Sequence, residues 1–216
     1  GYLGVNIQPV TPDLAKAFDL PDENGALVGG VQADTPAARA GLRAGDVIVE
    51  LNGRKVTDSR HFRLMVAQTP PGTKVTLKLL RDGKERSLTA TLGTLPAELG
   101  GAGESDAPVT EQSKSDALDG VEVADLDSRS RRQNDIPADV QGALITRVEP
   151  GSPADAAGLK PGDVILEIER KPVANADEAV ELSEKVKGDR VLLRVWSRGD
   201  GQAGTQYVVV DKSKTK

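Results

Sequence analysis

The sequence contains no cysteine and a single histidine, His61, among its 216 residues. Without a thiol, the chain forms neither a disulfide nor a thiolate metal site. A Ser-His-Asp triad would have to use His61, which precedes Phe62 in a predicted helix, and a partly packed helix residue is the simpler interpretation. The acidic residues are scattered along the chain. We therefore predict no metal, no cofactor and no catalytic group in this chain.

Aromatic residues are also scarce, with two Phe, two Tyr and one Trp, so any core must consist of Val, Leu, Ile and Ala. The formal net charge of −5 argues against nucleic acid or an anionic membrane as a partner. No run approaches the roughly 18 apolar residues of a membrane span, and no secretory signal is visible. Because the chain opens inside a motif without Met, we expect it to be a fragment.

One segment of the chain occurs twice, as residues 25–56 and again as residues 142–173. The two copies are offset by 117 positions, and about half of the paired residues are identical. A repeat of this length does not arise from biased composition, so the chain holds two copies of one domain. Two domains also fit the usual domain size for a chain of this length.

The repeated residues specify local structure. Thr35 and Ser152 are each followed by proline, which is typical of an N-cap and the first helical position. Gly41 and Gly158 suit the left-handed residue that ends a helix. The Gly-Asp pair that follows in both copies predicts a turn into a buried strand.

This pattern resembles the PDZ domains of bacterial HtrA/Deg-type envelope serine proteases, over nearly the whole chain. The resemblance implies a mainly β fold with two PDZ-like domains. Each would be a small, five- to six-stranded, partly open barrel or sandwich capped by two helices. We expect the first domain at residues 1–95 and a flexible linker, poor in large apolar residues, at 96–117. The second domain is expected at 118–211 and a disordered tail at 212–216.

The functional candidate is the loop Tyr2-Leu3-Gly4-Val5, which leads into a predicted strand through Asn6 and Ile7. In PDZ domains such a loop aims backbone N–H groups at the C-terminal carboxylate of a peptide, which adds a strand to the open edge. The resemblance implies a pocket for the last side chain of the peptide. Its lining would be Tyr2, Val5, Ile7, Phe62, Arg63 and Val66. The alternative for Ile7, Phe62 and Val66 is ordinary core packing.

The second copy has Leu118-Asp119-Gly120-Val121 in the same place, with a carboxylate where the first copy has Leu3. Ala179 and Leu182 would form the helix side of this groove, and Glu178 would replace Phe62. A carboxylate in an anion-binding loop repels the carboxylate of a ligand. We therefore expect the second domain to bind peptides weakly or not at all, and to make contacts with other domains or subunits.

The resemblance implies a peptide-binding regulatory region in the periplasm that recognises hydrophobic C-termini or exposed segments of misfolded proteins. Its further partners would be an upstream protease domain and neighbouring subunits. The chain itself should lack peptidase activity, since the nucleophile motif Gly-Asn-Ser-Gly-Gly is absent. Two alternatives remain open. One is an architectural or oligomerisation module with vestigial grooves, and the other is the PDZ region of another protease class.

Overall fold

A computed structural model describes residues 1–94, 115–118, 120–199 and 202–214. The chain divides into two compact units, Gly1–Gly101 and Ala102–Lys216. Within the described residues each unit contains one antiparallel sheet and three short helices. The expectation of a mainly β fold is confirmed.

The first unit contains a six-stranded sheet in the order β1-β2-β3-β5-β6, with β4 paired to β3. Its strands are β1 (Val5–Pro9), β2 (Ala26–Val31), β3 (Val47–Leu51), β4 (Arg54–Lys55), β5 (Lys74–Arg81) and β6 (Lys84–Thr91). Its helices are α1 (Pro12–Ala17), α2 (Pro36–Ala40) and α3 (Ser59–Gln68). In the described part of this unit, only an isolated bridge between Tyr2 and Gly93 connects the ends of the sheet, so no barrel closes.

The helix boundaries of the first unit follow from its capping residues. The side chains of Thr11, Thr35 and Asp58 each accept a hydrogen bond from a backbone N–H in the first turn of the helix that follows. Gly41, at φ 81°, ends α2 in the left-handed conformation that the sequence predicted. Phe62, Met65 and Val66 on α3 pack into the core beneath the sheet, with strand residues of Val, Leu, Ile and Ala.

The second unit contains a seven-stranded sheet in the order β13-β12-β10-β9-β8-β7, with β11 paired to β10. Its strands are β7 (Ser115–Ala117), β8 (Val121–Asp125), β9 (Ala143–Val148), β10 (Val164–Ile168), β11 (Lys171–Pro172), β12 (Arg190–Gly199) and β13 (Gln202–Asp211). Its helices are α4 (Ser128–Gln133), α5 (Pro153–Ala156) and α6 (Ala176–Lys185).

The structure differs from the sequence expectations in three places. Each unit has three helices instead of two, because capped turns form α1 and α4 before the repeated segment begins. Ser115–Ala117, which the sequence assigned to the linker, pairs with β8 as an extra strand. Lys212–Lys214, assigned to the tail, forms a 3-10 turn whose Lys212 N–H donates to the Asp189 carbonyl at 2.6 Å. The rest of the predicted linker lies outside the described residues.

None of the helices in the described ranges is both long enough and apolar enough to cross a membrane.

Candidate functional site

The loop before β1 is fixed through its carbonyl groups. Three successive carbonyls accept backbone N–H groups from outside the loop: Tyr2 from Gly93 at 2.9 Å, Leu3 from Ala37 at 2.9 Å and Gly4 from Gln32 at 3.0 Å. Ala37 lies in the first turn of α2, so a helix N-terminus holds the middle of the loop. The loop geometry is therefore imposed by α2 and by the residues that follow β2 and β6.

This carbonyl arrangement determines where the N–H groups of the loop point. In a trans peptide the C=O and the following N–H are directed to opposite sides. The N–H groups of Leu3, Gly4 and Val5 therefore point away from the partners that hold the carbonyls of Tyr2, Leu3 and Gly4. No protein acceptor for the Leu3 or Gly4 N–H occurs among the described residues. Successive backbone N–H groups that point away from their own fold can form a nest that suits an anion.

Gly4 is required by this geometry. Its φ of +78° lies in the left-handed region, and a Cβ there would lie 2.3 Å from Cβ and Cγ2 of Thr35. Thr35 is itself fixed, because its hydroxyl donates to the Gln32 carbonyl at 2.7 Å and accepts from the Ala38 N–H at 3.4 Å. The N-cap of α2 thus packs directly against the loop glycine.

Strand β1 lies at the edge of the sheet. Among the described strands it pairs only with β2, with Val5 opposite Val31 and Asn6 opposite Gly30, and the register shifts between Asn6 and Ile7. The other edge faces α3, from which Nη2 of Arg63 donates to the Ile7 carbonyl at 3.4 Å. A groove therefore runs between β1 and α3, and one exposed hydrogen bond crosses it.

The predicted lining residues of this groove fall into three groups. Phe62 and Val66 are 1% and 8% exposed and belong to the core that forms the floor. Val5 and Ile7 are half-buried and pack against that core from the edge strand. Arg63 is exposed on the helix.

Tyr2 and Asn6 complete the predicted set from the loop and the strand. Tyr2 donates its hydroxyl proton to Oε1 of Gln32 at 2.6 Å, which holds the ring at one side of the loop. Asn6 is half-buried on β1.

His61 has a local partner. Its Nδ1 accepts from the Thr57 N–H at 3.3 Å, and its backbone N–H donates to the Asp58 carboxylate at 2.8 Å. That N–H bond is the main cause that lowers the pKa of Asp58. These contacts fit a residue that supports the start of α3.

The second unit builds the same loop with different surroundings. Gly120 has φ +106°, and its carbonyl accepts a hydrogen bond from the Glu149 N–H at 2.8 Å. A Cβ on Gly120 would lie 3.0 Å from Cβ of Ser152. Leu118 has φ +64°, which is unusual for a non-glycine residue, and is 2% exposed. Asp119 lies outside the described residues, so its effect on a ligand stays a prediction.

The helix residues of the two units correspond differently from the sequence comparison. The N-caps Asp58 and Asn175 are 117 positions apart, and so are the first residues of α3 and α6. Ala179 is therefore the counterpart of Phe62, and the expectation that Glu178 replaces Phe62 was wrong. By the same offset Val180 and Ser183 stand where α3 has Arg63 and Val66.

The other residues predicted on α6 lie away from those positions. Glu178 corresponds to His61 and likewise accepts a backbone N–H, from Ala174 at 2.8 Å. Leu182 is half-buried and lines a pocket of about 350 Å³ with Ile168, Lys171, Lys185 and Arg190. Ala179 and Val121 are fully buried.

Comparison with known proteins agrees with this architecture. The family described as PDZ domain matches residues 1–92, and a second PDZ domain match covers residues 144–197. The chain belongs to the PDZ domain family. The expectation of two PDZ domains in tandem is confirmed.

Two curated relatives carry the same name, probable periplasmic serine endoprotease DegP-like. The protein of Pseudomonas fulva (strain 12-X) is 36% identical over 200 residues, which are 92% of this chain and 41% of the relative. That of Chlamydia trachomatis serovar D is 38% identical over 200 residues, which are 93% of this chain and 38% of the relative. The tandem PDZ region is thus homologous to DegP-like proteins, and the chain spans about two fifths of their length.

Among solved structures, the HtrA-type protease AlgW with a decapeptide matches at 42% identity and a TM-score of 0.42. That match covers 44% of this chain and 30% of the AlgW chain.

Proposed function

We propose that the first PDZ domain binds peptides by their C-termini, as an added strand on β1 with the terminal carboxylate at the N–H groups of Leu3, Gly4 and Val5. The observation that carries this proposal is the direction of those three N–H groups, which follows from the hydrogen bonds of the preceding carbonyls. They lie at the start of β1, whose outer edge pairs with no other strand in the described ranges. An anion held by backbone N–H groups needs no cationic side chain.

The groove supplies the other contacts. Groups on the open edge of β1 pair with an extended peptide, and the half-buried Val5 and Ile7 lie beside its last side chain. Burial of one aliphatic side chain contributes about 1.5–3 kcal/mol, and each strand hydrogen bond contributes about 1 kcal/mol. Ordering of the peptide opposes these gains. Micromolar affinity follows, which suits a transient tether.

The curated relatives support a periplasmic protease as the protein in which this binding takes place. Proteins named periplasmic serine endoprotease share the tandem PDZ region. In our proposal the region belongs to such a protease in the periplasm and tethers hydrophobic C-termini or exposed segments of misfolded proteins. An upstream protease domain and neighbouring subunits are the other partners, and peptide hydrolysis belongs to the protease domain alone.

The proposal is tested by nuclear magnetic resonance titration of the full chain with peptides that end in Val, Leu, Phe or Ala. Each peptide is used with a free and with an amidated C-terminus. We expect shifts at Leu3–Gln8 and Phe62–Val66 with micromolar affinity, and their loss on amidation. Binding that is indifferent to amidation, or no binding at all, would overturn the proposal and favour an architectural module.

A further inference from the structure

The edge strand of the second PDZ domain already has an outer partner. β8 corresponds to β1, but β7 pairs with it antiparallel along its outer side, with Asp116 opposite Glu122 and Ala117 opposite Val121. The same three-residue strand also lies against α6. β7 therefore runs along the edge that in the first domain faces the helix and is open.

The burial of equivalent residues differs accordingly. Val121 and Val123 on β8 are each 0% exposed, whereas their counterparts Val5 and Ile7 on β1 are half-buried. The inner faces of the two domains have the same type of core. The strand added on the outer edge of β8 accompanies this difference in burial.

The backbone of the second loop is also directed at this strand. The Gly120 carbonyl accepts from the Glu149 N–H on the β9 side, so the Val121 N–H, which belongs to the same trans peptide plane, points the opposite way. Ala117 lies opposite Val121 on that side. An N–H group that is directed to the open groove in the first domain thus faces the chain's own backbone in the second.

We infer that Ser115–Ala117 is a built-in ligand that closes the second groove, and that its release opens the groove to an extended peptide from another molecule. The segment is joined to β8 by residues 118–120 alone, which keeps its local concentration high. It is short, and the turn holds Leu118 at φ +64°, a conformation that costs free energy in a residue with a Cβ. A short strand on a strained turn can exchange with a longer peptide.

This inference goes beyond the proposed function, because it concerns the second groove and does not depend on binding in the first. It predicts that the second domain is silent toward peptides for a steric reason. Repulsion by Asp119 is a separate prediction.

Hydrogen exchange in the full chain tests the closure without any ligand. The N–H groups of Val121 and Val123 face β7, whereas those of Val5 and Ile7 face the open groove of the first domain and serve as an internal control. We expect exchange on β8 to be slower by at least about tenfold, in proportion to local opening. Similar rates on β8 and β1 would show that the segment does not cover the edge, and would overturn the inference.

Two proline variants then test whether β7 covers the groove, one expected to open it and the other to leave it closed. Ala117→Pro removes an N–H that faces β8, whereas the N–H of Asp116 points away from it, where proline on an edge strand is tolerated. We expect Ala117→Pro to accelerate exchange at Val121 and Val123 by about tenfold or more and Asp116→Pro to leave it within about threefold. Equal effects of the two variants would contradict the assigned register.

A reversible lock tests displacement itself. The chain contains no cysteine, so Asp116→Cys with Glu122→Cys places a single disulfide across an opposed pair. A peptide ending in Val is the probe, at millimolar concentration. We expect shifts on β8 and α6 in Ala117→Pro, weaker ones in the reduced double variant, and none after oxidation.

If Ala117→Pro exposes β8 and the peptide ending in Val causes no chemical-shift change on β8, the segment excludes no ligand and the inference fails. If the first domain does not bind peptides while the exchange and displacement results on β8 are as expected, only the proposed function is overturned. The two failures are therefore distinguishable.

Discussion

Arg81 forms a paired contact with the buried carboxylate of Asp46. Its Nε donates to Oδ1 at 2.6 Å and its Nη2 to Oδ2 at 2.7 Å, while the Asp46 side chain is 0% exposed. The Arg43 N–H donates to the same Oδ2 at 2.9 Å. The hydrogen bond that Arg81 donates to Asp46 raises the pKa of Arg81. The turn before β3 is therefore joined to the end of β5 by a shielded ion pair.

The second domain repeats this aspartate without the arginine. Asp163 accepts from the Lys160 N–H at 3.0 Å, as Asp46 does from Arg43, but its other partner is Ser197. Burial raises the pKa of Asp163, and the bonds from Ser197 and Lys160 offset this only in part. The repeated aspartate is thus part of an ion pair in the first domain, whereas in the second it is a buried acid with no ion pair among the residues that the structure describes.

Replacement of each aspartate by asparagine should have different consequences for stability. Asp46→Asn puts an NH2 group against the donors of Arg81, and we expect the free energy of unfolding of the first domain to fall by about 2–3 kcal/mol. In Asp163→Asn the amide can donate to the Ser197 hydroxyl and accept from Lys160, so at pH 7 we expect no loss. Urea unfolding at pH 7 measures both, and equal destabilisation would contradict the difference in pairing.

The stability of the second domain should also depend on pH through Asp163. Because its pKa is raised in the folded state, its contribution is fully present below the ordinary value of 3.8 and is lost as pH rises through the raised pKa. As pH rises from 4 to neutral, the unfolding free energy of the wild type should therefore fall relative to that of Asp163→Asn. Trp196, the only tryptophan, is buried in this domain and reports its unfolding by fluorescence. A constant difference across that range would contradict the raised pKa.

The local features that the sequence predicted are those that one or two residues impose. Thr35 and Gly41 bound α2 because a capping hydroxyl and a left-handed glycine work in any tertiary setting. The pairing of β7 could not be predicted, since Ser-Asp-Ala has no alternating apolar pattern and its partner is the edge of β8. Its position is a tertiary property.

The groove was predicted in part for the same reason. The glycine loop and the apolar strand were readable from residue type, whereas the contact of Arg63 with Ile7 depends on how α3 lies along β1. The helix correspondence failed because one residue is inserted between Ile136 and Gly142, which changes the offset between the copies from 116 to 117. The capping residues carried the signal that would have corrected it.

Substitution of the loop glycine Gly4, compared with a control glycine, separates the cost of backbone strain from the cost of steric conflict. Gly4→Ala introduces both a left-handed alanine and a Cβ only 2.3 Å from Thr35. Gly53→Ala is the matched control, since Gly53 has φ +75° and no atom within 4 Å of a Cβ. We expect Gly53→Ala to cost about 1 kcal/mol and Gly4→Ala to cost about 1–3 kcal/mol more, with loss of peptide binding. Thermal unfolding measures the loss of stability, and titration with a peptide ending in Val measures the loss of binding. Equal stability costs of the two variants would show that the loop moves to accommodate the Cβ at no additional cost.

The hydrogen bond from Arg63 to Ile7 should compete with a peptide for the same carbonyl. Arg63→Met keeps an unbranched apolar stem and removes the donor. We expect the affinity of the first domain for a peptide ending in Val to rise about two- to fivefold, because a weak exposed bond of about 0.5–1 kcal/mol no longer has to break. Arg60→Met removes the same charge from an exposed position on the same helix and serves as the control. Isothermal titration at two salt concentrations separates the effect of the hydrogen bond to Ile7 from the effect of the charge of Arg63. If both variants lose affinity equally, and more so at low salt, Arg63 acts through its charge on the carboxylate and not through the Ile7 carbonyl.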